Sequence, residues 1–211
     1  MKTIDAPQGS DEWFQARVGK VTASRIAAVM SKGRGGEASA TRAAYMGELI
    51  AEVLTGQPVN AFQGNADTER GVLEEPNARA TYETQRGVLV DTVGLVLHPT
   101  IERSAASPDG LVGDEGLLEL KCPRPHIHLD YLLGNEPPSK YVPQMAWQAA
   151  CTGRAWVDFA SYCPVMPEDL QLFVVRYTPT AGYIKELETA VAAFLAEMDV
   201  KLAKIQERRA A

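Results

Sequence analysis

The spacing of apolar residues changes character along the chain, and the changes predict its elements. In the first third the apolar residues fall at helical spacing. Ser10-Asp11 is placed to cap a short helix carrying Trp13, Phe14 and Arg17 and ended by Gly19. Thr22 is placed to cap a second helix, Ala23 to about Met30, with Ile26, Val29 and Met30 apolar. The glycine-rich stretch 31–39, with Lys32 and Arg34, predicts a mobile loop. A third helix is expected from about Thr41 to Leu54, with Tyr45, Leu49, Ile50 and Val53 on one side and Gly56 and Pro58 closing it. Residues 68–85 read as another helix, in which Pro76 either occupies the first turn or kinks the helix beside Glu75.

From residue 87 the apolar period falls to two, through Val88, Val90, Val93, Leu95 and Leu97, as in strands. Residues 107–121 predict a hairpin around Gly113-Asp114-Glu115-Gly116. A short helix is expected over Pro143–Thr152 and strands over Ala155–Ser161 and Leu170–Tyr177. From about Thr180 to Glu207 the helical period returns, and Ile184, Leu187, Val191, Leu195, Met198, Leu202 and Ile205 form a stripe. That stripe serves as core cover or as a subunit contact. Helices followed by a small β meander with flanking helices predict a single α/β domain.

Composition narrows the setting without choosing the chemistry. A chain of 211 residues can bury a core as one domain or two small ones. Its 45% hydrophobic and 23% charged content is that of a soluble globular protein, and no apolar run is long enough for a membrane span. Met1 to Ser10 lacks the apolar core of a signal peptide. Cys122, Cys151 and Cys163 fit neither a disulfide framework nor a zinc site, which predicts a cytoplasmic protein with cysteines as small apolar packers. The net charge of −6 disfavours a protein that coats itself in nucleic acid, but leaves room for a basic channel.

The chemistry concentrates in Ser107-Pro108-Asp109-Gly110-Leu111 and Glu119-Leu120-Lys121. On a strand over 117–121, Glu119 and Lys121 share a face and Leu120 points to the core. Two carboxylates suit a hard cation such as Mg²⁺, and a lysine suits orientation of water or support of developing charge, so the group fits metal-assisted phosphodiester hydrolysis. An isolated E-x-K is also what a solvated surface hairpin carries. A turn at Asp114-Glu115 sets Gly110 opposite Glu119 and Asp109 opposite Leu120, so that Asp109 points away from Glu119 unless the chain bends near Pro108–Gly110. The Leu120 carbonyl is a further hard ligand. Of Glu74 and Glu75 only one can face the site, since neighbours on a helix diverge by about 100°. Arg17, Thr22 and Ser24 surround a helix start that suits phosphate, although Thr22 also serves simply as a cap. Gln144 and Gln148 share a helix face, open to a nucleotide or to water. His98, His126 and His128 form no metal triad, and His126-Ile127-His128 reads as a loop detail.

Set in order, these segments resemble one family. Asp11-Glu12-Trp13, Arg17-Val18-Gly19, Val21-Thr22-Ala23-Ser24 and Glu52-Val53-Leu54-Thr55-Gly56 come first. Gly71 with Glu75, Ser107–Leu111, Leu118–Pro123, Tyr141-x-x-Gln144 and Phe159-x-x-Tyr162-x-Pro164-x-Met166 follow. Over nearly its whole length the chain resembles the bacteriophage lambda exonuclease, or YqaJ-type viral recombinase, branch of the PD-(D/E)XK nucleases. The resemblance implies a restriction-endonuclease-like α/β core, a small mixed β-sheet flanked by helices. Residues 10–56 would contact the 5′-phosphate and DNA, ahead of a core over 68–178 and a helix over 180–207.

It further implies Asp109, Glu119 and the Leu120 carbonyl as ligands of a first Mg²⁺, with Mn²⁺ an accepted substitute. Glu75 would serve a second ion or the attacking water, and Lys121 would position or activate that water. Arg17, Ser24 and Ser107 would bind a 5′-phosphate, with Thr22 beside them, Gln144 would support the site, and Arg34 would touch DNA. The implied activity is 5′→3′ degradation of one strand of linear double-stranded DNA, leaving 3′ overhangs for recombination and repair by strand annealing. A processive toroidal homotrimer and a single-strand annealing protein as partner are implied too. Two departures from the family pattern are Pro76 directly after Glu75 and Thr68 where a strand-splitting apolar residue stands. A different nuclease action (endonuclease or repair exonuclease) and a non-catalytic DNA-end-binding module are the alternatives.

Overall fold

The computed structural model describes residues 1–33, 39–59 and 66–210. Short strands and helices alternate at the start: β1 (Lys2–Ile4), α1 (Asp11–Arg17), β2 (Val21–Thr22), a 3-10 turn (Ala23–Arg25), α2 (Ile26–Met30) and α3 (Ala40–Thr55). Ser10 caps α1 as expected, its hydroxyl accepting the Trp13 N–H at 3.2 Å. Thr22 precedes the 3-10 turn but makes no side-chain cap, because its hydroxyl is taken by Arg17. Gly19 adopts φ +67°, and a Cβ there would lie 2.7 Å from the Val53 side chain. Glycine is therefore needed both for the backbone and for the approach of α3. The Glu52 carboxylate completes the junction by accepting the Gly19 N–H at 2.9 Å.

α4 (Ala66–Arg86) contains Pro76 well inside it rather than in the first turn. The proline deprives the Val72 carbonyl of its helical donor. Val72 is exposed, so water can serve that carbonyl. Strands β3 (Val90–Asp91), β4 (Leu95–Leu97), β5 (Ser104–Ala106), β6 (Gly110–Val112) and β7 (Gly116–Lys121) follow. Then come α5 (Pro125–Gly134), α6 (Val142–Thr152), β8 (Trp156–Tyr162), β9 (Leu172–Tyr177) and α7 (Ala181–Ala210). His126-Ile127-His128 lies in α5, not in a loop. His128 is buried, with Nδ1 at 2.8 Å from Ser161 Oγ and Nε2 at 2.8 Å from the Leu170 carbonyl, so its role is structural.

Two mixed sheets result, one in the order β1-β4-β5-β2 and the other β3-β6-β7-β8-β9. In the first, β2 runs parallel to β5, which carries the Arg17–Thr22 region alongside the segment leading to Ser107. In the second, β7 pairs antiparallel with β6 and parallel with β8. The side-chain alternation of β7 divides the core. Leu118 and Leu120 pack beneath Ala78 and Tyr82 of α4, whereas Leu117 packs beneath Met145 and Ala149 of α6. Glu119 and Lys121 share the face of Leu117, which is the face covered by α6.

The register of the β6–β7 hairpin corrects the expectation by one residue. Gly110 pairs with Leu118 and Val112 with Gly116, so the connection is Gly113-Asp114-Glu115 rather than a turn centred on Asp114-Glu115. Gly113, at φ +53°, accommodates the additional residue. Arg154 fastens this closed end, its Nη1 donating to the carbonyls of Gly113 and Gly116 at 2.7 Å each and of Val112 at 3.4 Å. The α7 stripe is core cover: Leu187, Val191, Phe194, Leu195, Met198 and Leu202 are buried in one cluster with residues of α2, α3 and α6. Each fully buried aliphatic side chain contributes roughly 1.5–3 kcal/mol relative to exposure. That burial anchors the N-terminal helices around Arg17 and Thr22. Among the described residues no helix is long and apolar enough to cross a membrane.

Candidate active site

Glu119 is completely buried, an environment that disfavours a charge unless donors surround it. Three side chains supply them. Gln144 Nε2 donates to Oε1 at 2.7 Å, Gln148 Nε2 donates to Oε2 at 2.6 Å, and the Lys121 ammonium also contacts Oε1. The two amides stand one turn apart on α6, so a single helix face grips both carboxylate oxygens. Lys121 Nζ donates in addition to the Leu120 carbonyl at 2.9 Å and lies 5.3 Å from the centre of the Tyr141 ring. Burial draws the ammonium down, but Glu119 and Asp109 outweigh it and hold Lys121 above the ordinary lysine range. In this state Lys121 is a cation, not a base.

No bend is needed to bring Asp109 to Glu119. Continuing the observed register by one residue sets Asp109 across from Glu119, and opposed residues of an antiparallel pair share a face. The ladder loosens there: the Asp109 N–H donates to the Leu118 carbonyl at 3.1 Å, and the Asp109 carboxylate accepts the Leu120 N–H at 2.7 Å. Burial first, and then the neighbouring Glu119 charge, push the Asp109 carboxyl up to about 8 against the opposing pull of Lys121. Glu75 contributes in the same upward direction.

Glu75, rather than Glu74, shares a cavity with Asp109. Glu74 instead accepts from Asn77 at the surface. Arg79 connects the two acidic residues: its Nη2 donates to Glu75 Oε1 at 2.7 Å and to the Asp109 carbonyl at 3.2 Å.

The predicted phosphate corner is organised around an aromatic ring, Trp13, to which the sequence assigned no role in the site. Trp13 Nε1 donates to Ser107 Oγ at 2.9 Å, and the Arg17 guanidinium lies 3.9 Å above the same ring. Arg17 Nη2 donates to Thr22 Oγ1 at 3.3 Å. Arg17, Thr22 and Ser107 are thus brought together, while Ser24 lies exposed in the 3-10 turn just beyond Thr22. Burial lowers the Arg17 pKa from its usual value, partly offset by Tyr45 and Glu52. Arg34 lies outside the described residues, as does the side chain of Thr68.

Among the described residues no group of three or more His, Cys, Asp or Glu side chains is gathered into a metal site. The donor chemistry nevertheless fits a hard divalent ion. Two carboxylates, Asp109 and Glu119, and the Leu120 carbonyl are all oxygen ligands. The Lys121 ammonium contacts both Glu119 and that carbonyl, showing that these oxygens accept a cation together. Sequence reasoning missed Arg79 and the contact of Gln148 with Glu119. The signal for each was an i, i+4 spacing, from Glu75 in one case and Gln144 in the other.

Comparison with known proteins adds context to this geometry. The profile of the YqaJ-like viral recombinase domain matches residues 12–155. Comparison with curated proteins yields no match. Among solved structures, an alkaline exonuclease from Laribacter hongkongensis is 46% identical, with a TM-score of 0.88 over 95% of this chain and 98% of that one. The same enzyme in complex with dAMP superposes equally well. A phage-related exonuclease from Haemophilus somnus shares the fold at 15% identity, with a TM-score of 0.73 over 88% of this chain and 96% of that one.

Proposed function

The chain belongs to the YqaJ-like viral recombinase family, and from that membership we propose that it is a Mg²⁺-dependent exonuclease degrading the 5′ strand of linear duplex DNA. The coarser assignment, a nuclease of exonuclease type, follows from 46% identity to an alkaline exonuclease over nearly the full length of both chains. The finer reading rests chiefly on one observation: Asp109, Glu119 and Lys121 converge at the end of β7 beside a corner formed by Arg17, Thr22 and Ser107.

In this reading Asp109, Glu119 and the Leu120 carbonyl hold a first ion, and Glu75 serves a second ion or the attacking water. When bound, the ions supply Lewis-acid neutralisation of the phosphoryl oxygens and a water acidic enough to attack at neutral pH. The protein supplies position and charge. Gln144 and Gln148 give one donor to each Glu119 oxygen and fix its orientation in the interior. Lys121 orients the water and supports charge that develops on the phosphodiester oxygens. Arg17, Thr22, Ser24 and Ser107 receive the terminal 5′-phosphate and set the scissile bond in register. Cleavage would release deoxynucleoside 5′-monophosphates, consistent with the dAMP held by the Laribacter enzyme.

Stepwise removal of the 5′ strand leaves a 3′ single strand for an annealing partner, and a homotrimeric ring would retain the duplex between steps. The decisive experiment uses linear duplexes labelled at the 5′ or the 3′ end, with and without a 5′-phosphate, alongside covalently closed circles. Early release of 5′ label as mononucleotide from phosphorylated ends, with circles left intact, is the expected result. Early release of 3′ label, or rapid cutting of circles, would refute this activity.

A further inference from the structure

Buried polar side-chain atoms without a partner are uncommon in native proteins and call for a cause. Among the described residues these atoms are Arg79 Nε, His98 Nε2, Tyr131 Oη and Gln148 Oε1. Arg79 and Gln148 both hold the acidic residues of the active site. Arg79 is the more unusual, since it links two elements that reach the site independently, α4 through Glu75 and the start of β6 through Asp109.

An i, i+4 ion pair at a surface contributes little to stability. The Glu75–Arg79 pair is partly exposed, with side chains 38% and 23% accessible, so stability alone gives little reason for it. Its geometry does. A glutamate at that exposure is free to rotate, whereas the same Arg79 nitrogen that holds it also binds the Asp109 carbonyl, thirty residues away in sequence. Glu75, Arg79 and Asp109 then line one cavity of about 320 Å³, together with Gln8, Thr92 and Gly94. The unpartnered Nε leaves the guanidinium with unused donor capacity beside these groups.

We propose that Arg79 is a positioning residue of the nuclease centre, latching the Glu75 carboxylate to the Asp109 strand so that Glu75 meets the metal-bound reactants in a fixed orientation. This assignment rests on the nuclease reading above. Arg79 acts through Glu75, and the consequence is non-additivity: once Glu75 is altered, removing Arg79 costs little more.

The test is a mutant cycle of Arg79→Ala, Glu75→Gln and the double variant, with Arg79→Lys as the conservative control and thermal melts verifying folding. Two quantities are measured: steady-state cleavage of 5′-phosphorylated duplex, and Mn²⁺ binding without DNA by calorimetry. Arg79→Ala is expected to lower kcat about tenfold or more with KM for DNA changed less than about twofold. It should weaken Mn²⁺ binding as Glu75→Gln does, the double variant should match Glu75→Gln alone, and Arg79→Lys should recover part of both losses. Multiplying losses in kcat and Mn²⁺ affinity would overturn the proposal, as would a rise in KM alone. Were the parent protein inactive on DNA, the nuclease reading would fall, and the Mn²⁺ cycle would still decide the role of Arg79.

Discussion

Gln148 Nε2 donates to Glu119 Oε2 at 2.6 Å, in a part of the interior where neither residue is exposed. A buried carboxylate that loses a donor bears a desolvation cost of about 1–3 kcal/mol. Gln148→Leu keeps most of the volume while deleting the amide. It is expected to lower stability by an amount in that range in urea titrations without metal, and Mg²⁺ should restore part of the loss. A midpoint equal to that of the parent protein would show that the amide is dispensable to Glu119.

Lys121 is the cation at the centre of the site, and its removal separates chemistry from folding. Lys121→Ala is expected to reduce cleavage by about 10²–10⁴-fold. Circular dichroism should remain that of the parent and DNA binding should persist. Turnover at a substantial fraction of the parent rate would take the lysine out of the mechanism.

Asp109 links the site to pH. Its folded pKa is raised to about 8, chiefly by burial and then by Glu119, well above the ordinary carboxylate value of an unfolded chain. The folded state therefore holds the proton longer than the unfolded state does. The stability this proton supplies is complete below the unfolded pKa and declines as pH rises towards 8. If Asp109 holds Mg²⁺ as proposed, it must do so ionised, so the gain in melting temperature on adding Mg²⁺ should be larger at pH 8.5 than at pH 6. Melts with and without Mg²⁺ across this range provide the check, with Asp109→Asn expected to flatten the dependence. A metal-induced shift that is the same at both pH values would contradict it.

Trp13 supplies a ring face to Arg17 and an N–H to Ser107. Arg17→Ala removes the cation and is expected to reduce the preference for 5′-phosphate over 5′-hydroxyl ends by about 10–100-fold, the loss of one charge-assisted hydrogen bond of roughly 1.5–3 kcal/mol. Trp13→Phe keeps an aromatic face for Arg17 while losing the N–H and one fused ring, so it should retain most of that preference. Rates on matched substrates would decide. An Arg17→Ala variant with undiminished preference would move the phosphate pocket elsewhere.

Much of this arrangement could be read from local pattern. The Glu119/Lys121 face follows from strand parity, and α1, α3 and the stripe of α7 follow from caps and spacing. What escaped the reading depends on distant partners. Residues 104–106 are buried as a strand although Ser-Ala-Ala carries no strand signature, because neighbouring strands and α6 enclose them. His126-Ile127-His128 reads as a loop detail, yet it lies in a helix, and His128 is satisfied by residues far along the chain. The hairpin register depended on one backbone choice, Gly113 in the left-handed region, which spacing alone does not reveal. The tie between Arg79 and the Asp109 carbonyl is a tertiary contact between segments whose approach no local pattern reports.

Arg154 gives that backbone choice its importance. In a two-stranded ladder, sliding one strand by a single residue reverses every side chain's direction. With β7 held in register by β8, such a slip of β6 would turn Asp109 away from Glu119. By binding three carbonyls around the closed end of the hairpin, Arg154 indexes the ladder from the end remote from the chemistry. Loss of that index would leave composition and secondary structure almost unchanged while erasing the site by parity. The alignment of Asp109 with Glu119 is thus carried in part by a residue at the opposite end of the hairpin.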